Sequence, residues 1–285
     1  MTLPAFDRIT DYRRRTYRMT PDLRIHTKKQ AIAFVNERGF MFFWPVKGTE
    51  LPSLWAAVAG DRPVPDAHDD PGHVTWGWKD ELLGARVWYY AKVLRKKSTF
   101  IAHDALPYFY ALSENYGAPE EDYLQQYREG RLSHEAKTIY EALLSQGPLD
   151  SPALRRAARM TTRESDAAFN RAMLTLQADF KLLPTGVAQV GAWKYAFIYE
   201  LTHRYYPDLA EQARPIRQAA ARARLVELYL RSVGAAQARQ VEMLFGWPKA
   251  DVAAALAALE ASGVARSGLR CEATPGEWWT LAELL

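Results

Sequence analysis

One order of elements restricts the fold of this chain more than any other feature of its sequence. Between residues 133 and 206, the pattern of capping and apolar residues predicts three helices followed by a β-hairpin. Ser133 is placed to cap the first helix, and Gly147 is placed to end it. Ser151 is placed to cap the second helix, with Pro152 at its first position.

The third helix of this segment carries a single apolar stripe. Thr161 and Glu164 form a capping-box pattern before it. Its apolar residues recur at spacings of four, three and four, at Phe169, Met173, Leu176 and Phe180. Extended segments at 181–183 and 193–201 follow, and proline and glycine between them supply a turn. Three helices and a hairpin are the element order of a winged helix, a variant of the helix-turn-helix.

The same order of elements recurs in the C-terminal part of the chain, and the N-terminal part can be assigned a similar order. The C-terminal copy has helices at 222–233 and 237–245, a third helix from Pro248, and a hairpin around Gly268 and Gly276. The N-terminal copy has a helix at 27–38, the segment GFMFFWP, helices at 51–60 and 73–83, and strands at 87–94 and 98–102. We therefore predict a mainly α protein with short β-hairpins, built from tandem winged-helix domains at 1–130, 131–210 and 211–285.

Composition excludes several classes of protein. No run approaches the roughly 18 apolar residues of a membrane span, and the first residues, MTLPAFDRITDYRRR, lack the apolar segment of a secretory signal. We therefore expect a cytoplasmic protein without a membrane partner. Cys271, the single cysteine, excludes a disulfide framework and a cysteine-rich zinc site. The histidines show no metal-ligand spacing, so we expect no metal and no other cofactor.

Positive charge is clustered, although the net charge is only +4. One cluster lies near the N-terminus and includes Arg13, Arg14 and Arg15. The other lies at residues 85–97, in and just after the predicted strand at 87–94, and includes Lys92, Arg95, Lys96 and Lys97. Either cluster alone is compatible with a solvated face, but two in one region favour a polyanionic partner. On the third helix of the middle segment, the outward face opposite Phe169 and Met173 carries residue types that bind phosphates or base edges, namely Arg163, Asn170, Arg171 and Gln177.

Aromatic residues are concentrated in the same N-terminal region. Phe42 and Trp44 follow the first predicted helix, and Trp76 and Trp78 flank a glycine. Most aromatic side chains in a chain of this size pack in the core. Two tryptophans on one side of an extended segment, or close together in a turn, also suit the wall of a pocket or a stacking platform. We therefore expect these four residues to line a pocket, with core packing as the alternative.

With these segments in place, the chain resembles the AlkZ/YcaQ superfamily of winged-helix DNA glycosylases. The resemblance is carried by the helix and following G-F segment at 28–44, by FIAHDALPYFYAL at 100–112, by GPLDSPAL at 147–154, by KYAFIYEL at 194–201 and by the last helix-turn-helix at 224–262. It implies tandem winged helices around a concave basic surface that binds double-stranded DNA, in a protein that we expect to be a monomer. It also implies release of alkylated or crosslinked bases.

One departure from the superfamily concerns the catalytic residues. The superfamily places a Gln-x-Gln or Gln-x-Asp pair where this chain has Phe42 and Trp44. An aromatic side chain cannot position or deprotonate water, so this chemistry does not transfer. A rebuilt site could use Lys47 as a nucleophile, with its pKa lowered by nearby aromatic residues, and Glu50 or Asp80 as acid or base. The alternative is that these residues form ion pairs that fix a loop.

Two classes of function therefore remain. One is an enzyme that resembles a lesion-directed DNA glycosylase, which would be a hydrolase of DNA repair. The other is a non-catalytic DNA-binding protein that recognises a DNA structure or acts as a regulator. The aromatic residues around Lys47 favour the first class, and the missing polar pair favours the second.

Overall fold

The structure is a computed structural model, and it describes residues 6–191, 193–271 and 274–285. Helix α1 (Phe6–Thr16) precedes the first unit, which consists of α2 (Lys28–Arg38), β1 (Phe40–Phe42), α3 (Leu54–Ala59), α4 (Val74–Leu83), β2 (Tyr89–Lys92) and β3 (Ser98–Ile101). Helices α5 (Leu106–Tyr110) and α6 (Pro119–Arg128) lead to the second unit, which consists of α7 (His134–Gln146), β4 (Leu149–Asp150), α8 (Ser151–Ala157), α9 (Asp166–Ala178), β5 (Leu182–Ala188) and β6 (Ala196–Leu201). Helices α10 (Thr202–Tyr205) and α11 (Leu209–Ala213) lead to the third unit, which consists of α12 (Gln218–Val233), β7 (Ala235–Ala236), α13 (Ala238–Phe245), α14 (Lys249–Ala261), β8 (Ala265–Cys271) and β9 (Thr274–Leu281).

All three units share one topology. Each has the order helix, strand, helix, helix, strand, strand, and its three strands form a small antiparallel sheet. In each sheet the last strand is central, because it pairs with the strand before it and with the short strand after the first helix. The two-residue strands β4 and β7 were not anticipated, because two residues are too few to show a period.

Helix boundaries test the capping predictions directly. The Ser133 side chain accepts a hydrogen bond from the amide of Ala136, and Gly147 follows the last residue of α7, as predicted. Asp150, not Ser151, caps α8 by accepting from the amide of Ala153 at 2.8 Å. The capping box predicted at residues 161 and 164 is wrong, because a 3₁₀ turn at 163–165 precedes α9 and its first residue is Asp166.

Burial on both faces explains the uninterrupted apolar sequence of β1. Phe40 and Phe42 pack into a hydrophobic cluster that also contains residues of α12 and α14. Met41 and Phe43 point the other way and join a cluster with residues of α2, α3 and α4. Successive side chains of a strand alternate between its two faces, so a strand covered on both sides is apolar throughout.

The first and third units share a hydrophobic core, to which Phe180 and Leu183 of the second unit also contribute, whereas most buried residues of the second unit form a cluster of their own. Gly39 lies where the first unit packs closely against α12 of the third unit. It ends α2 with a φ of 80°, a region that favours glycine, and an added Cβ would lie 3.0 Å from a Leu228 methyl group of α12. Domain boundaries at 130 and 210 stay a prediction.

No helix in the described part of the chain has the length and apolar character needed to cross a membrane.

Candidate nucleic-acid interface

A basic groove lies between the first and second units. Its cavity has a volume of about 480 Å³ and is lined by Trp44, Pro45, Val46, Lys47, Lys92, Lys96, Lys97, Ser98 and Leu174. The four lysines come from the loop after β1 and from the β2–β3 hairpin, whereas Leu174 belongs to α9. We call this feature the lysine groove. All four lysines are exposed, and none forms a salt bridge within the described residues.

Local hydrogen bonds determine the shape of the β2–β3 turn, which presents Lys96 and Lys97. The buried Thr99 hydroxyl accepts from the amide of Leu94 at 3.2 Å and donates to the carbonyl of Lys97 at 2.8 Å. Arg95 and Lys96 have φ values of 51° and 55°, which non-glycine residues seldom adopt. Arg95 donates to the Thr49 hydroxyl at 2.6 Å, so its guanidinium joins this turn to the loop after β1.

Helix α9 forms the opposite wall of the lysine groove. Gln177, which we expected on its outer face, is buried, and its amide oxygen accepts from the backbone N–H of Lys92 at 3.2 Å. Asn170 and Leu174 are seven and three residues before Gln177 and therefore lie on the same face. Asn170 and Arg171 are exposed, as predicted. Arg163 is also exposed, but it lies in the turn before α9 and does not line the groove.

The N-terminal arginines are not part of the lysine groove. Arg13 donates to the carbonyls of Val233 and Ala235 at 2.8 and 3.0 Å and pairs with Glu50 at 3.3 Å. The guanidinium of Arg13 therefore holds α1 against the end of α12, and a DNA-binding role for Arg13 stays a prediction. Arg14 and Arg15 are exposed and line a separate cavity of about 460 Å³ beside Tyr12 and Leu284.

Two of the four aromatic residues expected in a pocket are buried in the core. The prediction is wrong for Phe42, whose side chain is fully buried. Trp78 is 8% exposed and packs in the core, but it also lines a cavity of about 470 Å³ beside α3, away from the lysine groove. Residues 76 and 78 lie in α4, where a spacing of two places side chains on nearly opposite faces. Trp76 therefore points outward and is 40% exposed. Trp44 is partly buried and lines the lysine groove.

Trp44 and Trp76 belong to one aromatic cluster. Their ring centroids lie 5.8 Å apart at 81°, and His73 stacks on Trp76 at 5.4 Å and 17°. The rings of His73 and Trp44 are perpendicular, with their centroids 5.6 Å apart. The Trp55 indole N–H donates to Nδ1 of His73 at 3.3 Å, which fixes the orientation of the imidazole. We call Trp44, His73 and Trp76 the aromatic platform.

The three proposed catalytic residues do not form one site. Lys47 lines the lysine groove but is exposed, so the expected burial among aromatic residues is wrong. Glu50 pairs with Arg13 rather than with Lys47. Asp80 lies on α4, where it pairs with Lys79 and accepts a hydrogen bond from the Tyr195 hydroxyl at 2.9 Å.

Lys79 is the buried lysine of this region. Its ammonium lies 4.5 Å from the ring centroid of Phe197 and 5.5 Å from that of Tyr90, and its side chain is 3% exposed. Burial lowers the pKa of Lys79, and the hydrogen bond and charge of Asp80 oppose this shift. Helical spacing could have located it, because Thr75, Trp78 and Lys79 are separated by three and four residues and share the buried face of α4.

The order of helices and strands is that of an AlkZ-like fold. Over its whole length the structure is similar to the DNA glycosylase AlkZ of Streptomyces sahachiroi, with a TM-score of 0.62 and 12% sequence identity; the match covers 99% of this chain and 71% of that chain. A family model described as AlkZ related matches residues 25–246, so the chain belongs to the AlkZ-related family. No curated protein matches the sequence.

Proposed function

We propose that this protein binds double-stranded DNA through the lysine groove. The observation that carries the proposal is the concentration of Lys47, Lys92, Lys96 and Lys97 around one cavity without a carboxylate among its lining residues. Four like charges in one groove repel one another, and an anion with regularly spaced charges relieves that repulsion. The similarity to AlkZ, a DNA glycosylase, supports DNA as that anion.

The three units act in this proposal as tandem winged helices. In each unit the last two strands form a hairpin, and α4, α9 or α14 takes the position of the third helix. Helix α9 lines the groove with Leu174 and exposes Asn170 and Arg171, whereas α14 presents mainly alanine and acidic side chains. We infer that α9 contacts DNA and α14 contributes packing. Phosphate contacts then dominate, so binding depends little on sequence and strongly on salt. The protein acts as a monomer in the cytoplasm.

The position of Phe42 and Trp44 favours binding without the superfamily's hydrolysis. Phe42 is sealed in the core, and Trp44 packs against Phe43 at 4.8 Å and offers no acid or base. Base excision by another route is the second candidate, and the exposed amine of Lys47 in the groove supports it. After losing a proton to water, that amine would attack the sugar C1′, the new C–N bond would form as the glycosidic bond breaks, and the base would leave with the electron pair and take a proton from water.

Incubation with a panel of duplexes separates these candidates. Fluorescence anisotropy should show binding to undamaged duplex that weakens steeply between about 50 and 200 mM salt. Alkylated, oxidised and crosslinked duplexes should release no base, and borohydride should trap no covalent complex. A trapped complex that disappears in Lys47→Ala would instead establish base excision by Lys47. Binding that is insensitive to salt would contradict the proposed groove contacts.

A further inference from the structure

We propose that the aromatic platform binds an unpaired nucleobase of the DNA whose phosphates lie in the lysine groove. This inference rests on the proposed function and adds a ligand class for a surface outside the groove itself. Base–aromatic stacking is independent of base identity, because every base has a π-face. In a regular duplex the faces of each base are covered by its neighbours, so only an unstacked base can use the platform.

The exposure of Trp76 is the first observation. The indole is 40% exposed, although tryptophan is a residue that packing normally covers. His73 stacks on it at 5.4 Å, and His68, itself exposed, lies 6.3 Å away at a tilt of 45°. Apart from its two chain neighbours and the backbone of α4, no heavy atom lies within 4 Å of a Cβ built at the neighbouring Gly77. The surface around Trp76 therefore has room for a flat ligand.

The platform is continuous with the lysine groove. Trp44 lines the groove and meets Trp76 at 5.8 Å, so it belongs to both surfaces. A strand with its phosphates on the lysines can therefore turn a base toward Trp76 without leaving the protein surface. Positive charge along the backbone with aromatic rings beside it is the combination that single-stranded nucleic acids require.

The third observation is that buried residues beneath the aromatic platform hold its rings in place. Trp55 is fully buried, lies 5.9 Å from Trp44 and donates to His73. The Arg62 guanidinium lies over Trp55 at 4.9 Å and pairs with Asp70 through contacts of 2.7 and 2.9 Å. A Cβ at Gly72 would approach the Trp55 indole nitrogen to 2.9 Å, so this packing requires glycine. A preorganised surface loses little entropy when a ligand binds.

Two duplexes that differ only by one extra, unpaired 2-aminopurine test the proposal with the full-length chain. The wild type should bind the bulged duplex roughly tenfold more tightly than the matched duplex, with quenching of the 2-aminopurine fluorescence by stacking. Trp76→Ala should abolish the preference and the quenching but change affinity for the matched duplex less than twofold. Trp76→Phe should retain part of the preference for the bulged duplex and part of the fluorescence quenching. Tyr116→Ala, which removes another exposed aromatic ring outside the platform, should behave as the wild type.

The possible failures are distinguishable. Equal affinity of the wild type for both duplexes, or an unchanged preference in Trp76→Ala, would overturn the platform proposal and leave the lysine groove in place. Failure of the wild type to bind either duplex would overturn the proposed function, and the platform proposal with it.

Discussion

Replacement of Lys92, Lys96 and Lys97 together by glutamine is expected to weaken binding to a matched duplex roughly 100-fold. The reason is that each lost phosphate contact costs about 1 kcal/mol of binding free energy. The slope of log affinity against log salt should also fall by about 1 for each lysine. All three side chains are exposed and line the groove, so their replacement should not disturb packing. Anisotropy titrations at several salt concentrations measure both effects.

A second triple variant controls for the change in net charge. Arg128, Arg217 and Lys249 are exposed and do not line the lysine groove. Their replacement by glutamine removes the same charge and should change affinity by less than a factor of about three, because long-range effects are screened at physiological salt. Equal losses in the two triple variants would mean that DNA responds to net charge rather than to this groove.

The second large effect concerns stability and the Lys79–Asp80 pair. Asp80→Ala should lower the free energy of unfolding by about 2 kcal/mol, because it leaves the ammonium of Lys79 buried without its carboxylate. This loss in the free energy of unfolding is smaller than that expected when a fully buried ion pair is broken, because the Asp80 side chain is 24% exposed. Adding Lys79→Met should restore most of the loss, because methionine can fill the space among the rings. Urea unfolding of the three proteins measures this.

The pH dependence of stability gives an independent check on the same pair. Burial lowers the pKa of Lys79 from its ordinary value of 10.5, so between the lowered pKa and 10.5 the unfolded chain binds more protons than the folded one. The free energy of unfolding of the wild type, relative to the double variant, should therefore rise with pH in this window. If this difference in the free energy of unfolding did not change with pH, or if Asp80→Ala were as stable as the wild type, burial of the Lys79 charge would not destabilise the folded protein.

The sequence was informative where local rules decide the structure. Ser133 caps the helix that it was expected to cap, because a cap depends on residues within one turn. The β2–β3 hairpin with its basic tip was also recognised, since strand residues flank a short polar segment. The relation to the AlkZ superfamily, inferred from several short segments, is confirmed by the family match over residues 25–246.

Tertiary packing decided what the sequence could not predict. The sequence does not distinguish the environments of Phe42 and Trp44, because both are aromatic residues of one apolar segment. In the structure, β1 buries Phe42 on the face toward α12, whereas Trp44 follows the strand and lines the groove. The desolvated lysine was expected at 47 and is found at 79, because the rings that cover it come from β2 and from β6. The opposite wall of the groove comes from Leu174, far along the chain from Lys47. Such contacts have no local signature.

Chemical footprinting of lysines tests the central claim most directly. The full-length protein, alone and saturated with matched duplex, is treated briefly with an amine-acylating reagent, and the modification of each lysine is measured by mass spectrometry. Bound DNA should protect Lys47, Lys92, Lys96 and Lys97 and leave Lys249 reactive. Undiminished acylation of the four groove lysines, with the DNA shown by anisotropy to be bound, would contradict the account.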